Sequence, residues 1–246
     1  MNRGRTLSVG ESLNEIFALY QQNFGVLIPS AFWLFLPVSI LAGIVGNKDV
    51  GLLALVAIVT FAVAMLYQGM VVSLVRDVQD EPRKPSVGEL ISSVGPVLPT
   101  LLVTAIIYGI GVGVGFILFI VPGCILLTIW AVIAPVIVIE RAGVSAAFTR
   151  SQNLVRDYGW PVFGTVISAT LIAAIATFIL TGIAEAIAGG PILRIVFGTL
   201  ATTLTAPIGG LVAAVLYYRL LTLKRAPAAA PTTGVDGPPN EPPVSS

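Results

Sequence analysis

Few side chains in this 246-residue sequence could take part in chemistry, and they fall in a handful of places. The densest carboxylate group is Asp77, Asp80, Glu81 and Glu89, within RDVQDEPRKPSVGE. A hydrolytic metal centre gathers carboxylates around one point, usually with His or Cys. These acids are interleaved with Arg76, Arg83, Lys84 and two prolines; the chain has no His, and Cys124 is its single Cys. The pattern reads as a solvated connector. No catalytic residue, metal or cofactor is expected, and Cys124 can form no internal disulfide. A second group follows a long apolar segment: Glu140, Arg141, Arg150, Arg156 and Trp160, in PVIVIERAGVSAAFTRSQNLVRDYGWPVF. Adjacent residues diverge on a helix, so Glu140 should pair with Arg150 or cap a nearby helix rather than meet Arg141. These five are the candidate residues for contacting lipid headgroups or a protein partner. A third pair, Glu185 and Arg194, flanks AIAGGPIL, and an ion pair across that turn is expected.

The elements that position these groups follow from composition. Apolar types make up 56% of the residues and charged types only 10%, with a mean hydropathy of +0.97. A soluble domain is about one quarter charged, so hydrocarbon must be the solvent for much of this chain. Charge is absent from the runs 25–47, 50–75, 90–139, 158–184 and 195–218. A helix needs about 20 apolar residues to cross a bilayer. The run 90–139 is too long for one crossing and should turn at IVPGC, around Pro122 and Gly123. The reading is an all-α polytopic membrane helix bundle with six transmembrane helices, near 24–46, 50–75, 96–120, 123–139, 160–187 and 192–218.

An even number of spans puts both termini on one side. That side collects Arg3, Arg5, Arg76, Arg83, Lys84, Arg141, Arg150, Arg156, Arg219, Lys224 and Arg225, against Lys48 and Arg194 on the other. The asymmetry places both termini in the cytoplasm. Glu11 and Glu15 before a span-length first run argue against a cleaved leader. The basic groups are sparse and close to the membrane, so anionic headgroups rather than nucleic acid are their expected counterions.

Three entries into the membrane look alike: SVGESLNEIFALYQQNFGVLIP, SVGELISSVGPVLP and GVSAAFTRSQNLVRDYGWPVF. Ser8 with Glu11, and Ser86 with Glu89, have capping-box spacing. Val9, Leu13, Ile16 or Phe17, and Tyr20 recur at helical intervals, as do Val144, Phe148, Val155 and Tyr158. Each entry predicts an amphipathic helix on the cytoplasmic side, its apolar face in the headgroup boundary. The resulting organisation is a cytoplasmic N-terminal segment at 1–23, a membrane domain at 24–225 and a tail at 226–246. The domain consists of three imperfect helix-plus-hairpin units. The Pro- and Ala-rich tail should be disordered. Within the spans, Gly109, Gly111, Gly113 and Gly115 make two overlapping G-x-x-x-G spacings for close packing. Pro29, Pro37, Pro135 and Pro207 interrupt apolar segments, while Trp33 and Trp130 suit lipid contact or packing and Trp160 an interfacial anchor.

The segment APVIVIERAGVSAAFTRSQNLVRDYGWPVFG and the later LYYRLLTLK resemble the membrane domain attached to some bacterial glycerophosphoryl diester phosphodiesterases. They are also similar to related uncharacterised multi-span bacterial membrane proteins. Ala134-Pro135, Glu140, Ala147, Arg150-Ser151, Leu154, Trp160, Phe163-Gly164 and Leu216-Tyr217-Tyr218 carry the resemblance. Gln152 stands where Trp is frequent, and Arg219 where an acid is frequent. The catalytic barrel of those enzymes has no counterpart in these residues. The resemblance implies a bacterial cell-membrane location and no hydrolase activity. With it, the expected role is a non-enzymatic scaffold or accessory protein in lipid or envelope organisation, contacting membrane lipids and a membrane or cytoplasmic protein. The alternative is a small transporter or permease for a lipid-like or small-molecule substrate. A sealed bundle would favour the first, and a polar cavity halfway through the membrane the second.

Overall fold

A computed structural model describes residues 7–45, 50–80, 86–186 and 191–225, except the side chains of 80, 184, 185, 191, 192 and 194. Every regular element among them is helical. In chain order these are α1 (Val9–Gln22), α2 (Phe24–Val45), α3 (Val50–Asp80) and α4 (Val87–Val94). A 3₁₀ turn (Gly95–Val97) joins α4 to α5 (Leu98–Leu118). Then come α6 (Ile120–Ile129), α7 (Ile133–Glu140), α8 (Val144–Val155), α9 (Gly159–Ala186) and α10 (Pro191–Arg225). Six helical segments are long and apolar enough to cross a membrane: Phe24–Val45, Val50–Gln79, Val87–Leu118, Ile120–Glu140, Gly159–Ile183 and Ile195–Arg225. Large apolar side chains cover the outside, with Trp33, Ile117, Phe119 and Phe178 each more than 70% exposed. Water would not tolerate a surface of that kind, whereas lipid does. The expected pair Glu185–Arg194 and the tail 226–246 lie outside the described residues.

The last helix is the axis. The apolar window of α10 is 61% buried, against 6% for α9, and α10 packs on α9, α2, α3 and α1. Its core contribution is a stripe of small and branched residues, Leu211, Ala214, Val215, Leu216 and Leu220. Gly210 lets α3 come close: a Cβ there would lie 2.7 Å from Val71 Cβ. One turn before Val71, Tyr67 of α3 packs edge-on against Phe35 and donates its hydroxyl to the Leu27 carbonyl of α2 at 2.8 Å. α2 and α10 stay helical through Pro29, Pro37 and Pro207.

The third and fourth spans depart from expectation in two places. The chain turns at Phe119, whose backbone is extended, rather than at Pro122–Gly123. Pro122 and Gly123 fall in the first turn of α6, where a missing N–H costs no helical bond. The fourth span is not one helix. It breaks at Trp130–Val132 between α6 and α7, because Pro135 has no N–H for the Ala131 carbonyl four residues back. The break is stitched from outside the span: Ser151 of α8, fully buried, donates to the Ile129 carbonyl at 2.8 Å.

The short helices also differ in detail. Ser86 and Glu89 close the expected capping box on α4. Ser8 and Glu11 do not, because the Ser8 side chain makes no cap bond and Glu11 is drawn to Arg219. Of the expected apolar face, Val144, Phe148, Val155 and Tyr158, only Val155 is fully buried and the other three are half-buried; the buried face of α8 is Ala147, Ser151, Leu154 and Val155, packed on α7. Arg76 and Asp77, expected in a connector, sit on the last turns of α3 and pair with each other at 3.0 Å. Leaving the apolar window does not end a helix whose backbone bonds are intact. Of the glycine series, one face is used for packing. A Cβ on Gly115 would stand 3.0 Å from the Gly123 backbone, and one on Gly111 would strike the Trp130 ring, whereas Gly109 and Gly113 face open space.

Candidate functional site

The chain reverses at Arg141, the one non-glycine residue with positive φ among those described (φ 55°). That left-handed turn ends α7 at Glu140 and, with Gly143 extended at the cap, launches α8 back over the same corner. Arg150 Nε then lies 3.1 Å from both Glu140 carboxylate oxygens. From α10, the Tyr217 hydroxyl donates to Glu140 Oε1 at 2.9 Å. The Arg150 contact is one bifurcated N–H rather than a two-pronged fork, and its side chain is 43% exposed against 29% for Glu140. Such a pair contributes modestly, about 0–1 kcal/mol. Tyr217 is almost fully buried, so its bond is the better shielded of the two.

Two further ties radiate from the end of α10. Arg219 donates to Glu15 of α1 at 2.6 Å and to Glu11 at 3.3 Å. Lys224 donates to Asp157 at 2.7 Å and to the Asn153 carbonyl at 2.6 Å, holding the joint between α8 and α9. The Lys224 hydrogen bond and charge hold the Asp157 carboxyl below its usual value. On α1, burial pushes the Tyr20 hydroxyl up and keeps it neutral; it donates to the Leu204 carbonyl at 3.1 Å. Tyr217, Arg219 and Lys224 thus fasten α7, α1 and the α8–α9 joint to three successive positions of one helix.

Of the five candidate residues, the structure brings together Glu140 and Arg150. Arg141 reaches the other way, its guanidinium donating to the Ser93 carbonyl of α4 at 3.1 Å. Arg156 and Trp160 stay apart from this cluster; Arg156 is exposed and Trp160 is 85% exposed, its ring edge-on to Phe163. The sequence does not announce Tyr217, Arg219 and Lys224 as partners, since they lie 67 to 208 positions from the groups they hold. No three of His, Cys, Asp and Glu gather among the described residues. Among the described residues, Glu11 and Glu15 converge on the Arg219 guanidinium.

Halfway along the spans lie two cavities that sequence reasoning did not place. One, about 340 Å³, lies between α3, α5 and the α6–α7 break; the other, about 240 Å³, lies between α6, α9 and α10. Gln68, Tyr108 and Ala131 line both. The available signal was Gln68, an amide within an otherwise charge-free run. A third, almost wholly apolar groove of about 230 Å³ separates α1 from α9 and α10. Comparison with protein-family models, curated proteins and solved structures gives no match to this chain.

Proposed function

We propose that this chain is a non-enzymatic scaffold or accessory protein in lipid or envelope organisation, resident in a bacterial cell membrane with both termini in the cytoplasm. One observation carries the reading. Glu140 and Arg150 at the α7–α8 corner and Arg219 and Lys224 near the end of α10 fasten helices to one another, whereas Arg156 and Trp160, on either side of the α8–α9 joint, are left exposed. An exposed guanidinium and an exposed indole at one joint suit an anionic headgroup or a partner's boundary surface. On this reading α1, α4 and α8 are amphipathic elements on the cytoplasmic side, and the resemblance to phosphodiesterase membrane domains agrees with a supporting rather than a reacting part. Native mass spectrometry after gentle extraction tests it. Wild type should retain an anionic phospholipid or a partner protein above the bulk ratio, and the Arg156→Glu, Trp160→Ala double variant should lose it while keeping its melting temperature. Retention that ignores the double variant, or none at all, overturns the proposal.

The second reading, a small permease for a lipid-like or small-molecule substrate, is favoured by the two cavities that meet at Gln68 and Tyr108. Flux of a neutral solute into reconstituted vesicles, absent from protein-free vesicles, would support it.

A further inference from the structure

The larger cavity contains hydrogen-bonding groups that no described residue uses. Thr104 is 2% exposed, and its Oγ1 has no partner. The Gln68 amide and the Tyr108 hydroxyl, also on the wall, make no hydrogen bond among the described residues. Ala131 lines both this cavity and the smaller one, which together form two lobes, and Pro135, four residues on, has no N–H to offer its carbonyl. Polar groups left unpaired inside a membrane protein are costly, so this concentration in one cavity calls for a guest that satisfies them.

The chemistry of the walls defines that guest. No Lys, Arg, Asp or Glu lines either lobe, so a charged molecule would be buried without a counterion. Much of the remaining lining is apolar, including Phe61, Met65, Leu101 and Ile137. Trp130 and Tyr108 form an aromatic corner, ring centroids 6.1 Å apart. A cavity of about 150 Å³ holds a benzene molecule, so 340 Å³ accepts a small hydroxylated head and the first methylenes of a chain. The mouth is marked as well. Gly109 lines the cavity, is exposed, and has only open space where a Cβ would sit, so its lack of a side chain serves no helix contact. It leaves the cavity open on the outer surface of the bundle, where acyl chains lie.

We propose that this two-lobed cavity is a binding site for a neutral amphiphile, a molecule with a small hydroxylated head and an acyl or alkyl chain. The head's hydroxyls take up Thr104, Gln68 and Tyr108, and the chain leaves past Gly109. The site is separate from the Arg156–Trp160 boundary and stands whether or not that boundary binds headgroups.

Trp130 on the cavity wall reports occupancy. The full chain carrying Trp33→Phe and Trp160→Phe is reconstituted in phosphatidylcholine vesicles. It is then titrated with a monoacylglycerol brominated near the head of its chain, and separately with phosphatidylcholine brominated at the same depth. Binding predicts saturable quenching by the monoacylglycerol at low mole fraction and only gradual, linear quenching by the phospholipid. Adding Gln68→Leu and Thr104→Val should raise the half-saturating mole fraction by about tenfold, the loss of two hydrogen bonds to a guest. Gly109→Leu, whose Cβ meets nothing within 4 Å, should raise it too by filling the mouth, and it provides the reading if the double change fails to fold. Linear quenching by both probes overturns the proposal, as it would for a cavity holding water alone. So does a half-saturation point that no variant moves.

Discussion

Replacing Tyr217 by Phe removes one hydrogen-bond donor from the end of α10 and leaves the ring packing in place. The hydroxyl donates to Glu140 Oε1 at 2.9 Å from a side chain that is 2% exposed. A hydrogen bond to a charged group contributes about 1.5–3 kcal/mol. Glu140 is 29% exposed and keeps Arg150, so water and the guanidinium recover part of that. The expected cost of Tyr217→Phe is about 1–2 kcal/mol. Arg150→Ala removes a full opposite charge, yet the ion pair is 43% exposed on the Arg side and rests on a single bifurcated N–H. Its expected cost is below about 1 kcal/mol. The buried neutral donor should therefore outweigh the exposed cation. Because both donors meet at Glu140 Oε1, the double variant should miss additivity by about 0.5 kcal/mol or more. Reversible unfolding in mixed micelles, titrated with a denaturing detergent, gives all three values from one series. An Arg150→Ala cost above that of Tyr217→Phe would refute the reasoning, as would strict additivity.

Ser151→Ala should cost about 1–3 kcal/mol, because it strips the donor from a carbonyl at the break in the fourth span, and amide exchange at 130–133 should quicken. Gly115→Leu should cost about 3 kcal/mol by forcing α5 off α6, whereas Gly113→Ala, facing open space, should be neutral or stabilising by about 0.5–1 kcal/mol; thermal melts of the two separate them. The Asp157 carboxyl is held below its ordinary value of 3.8 by Lys224, so its contribution is present above that pH and is lost as pH falls through the lower folded value. In low salt, Asp157→Asn should flatten the acid limb of the melting curve below about pH 4, and about 1 M salt should do the same to wild type, since the pair is exposed.

Six spans are legible in the sequence because hydropathy adds up over a window and needs no knowledge of neighbours. Their interruptions are not. Pro122 and Pro135 look alike in an apolar run, yet one lies in the first turn of a helix and the other breaks a span whose nearby Ile129 carbonyl is met by Ser151 from another helix. The capping boxes make the same point. Ser86–Glu89 closes, while the identically spaced Ser8–Glu11 loses its acid to Arg219 on the far end of the chain. Glu140 and Arg150, ten residues apart, could be paired on paper. Tyr217 could be recognised as part of a resemblance but not as the third member, because its approach depends on where α10 runs. The cavity was hidden for a related reason: Gln68, Thr104 and Tyr108 are unremarkable singly, and only the packing of α3 against α5 reveals that they share an empty space.

The fastening of α1 and α7 to the end of α10 has a consequence for the order in which the protein comes into being. Glu15 and Glu11 emerge from the ribosome 204 and 208 residues before Arg219. At about 5–20 residues per second, that is roughly 10–40 s of waiting at the membrane. Glu140 waits for Tyr217 across 77 residues. Throughout that interval the first five spans lack both their central packing partner and the charges that anchor their ends. Arrival of the last span then supplies the cationic partners of Glu11, Glu15 and Asp157, so a nascent chain stalled before residue 219 displays these three carboxylates without their cations as a signature of incomplete synthesis, whereas Glu140 already has Arg150.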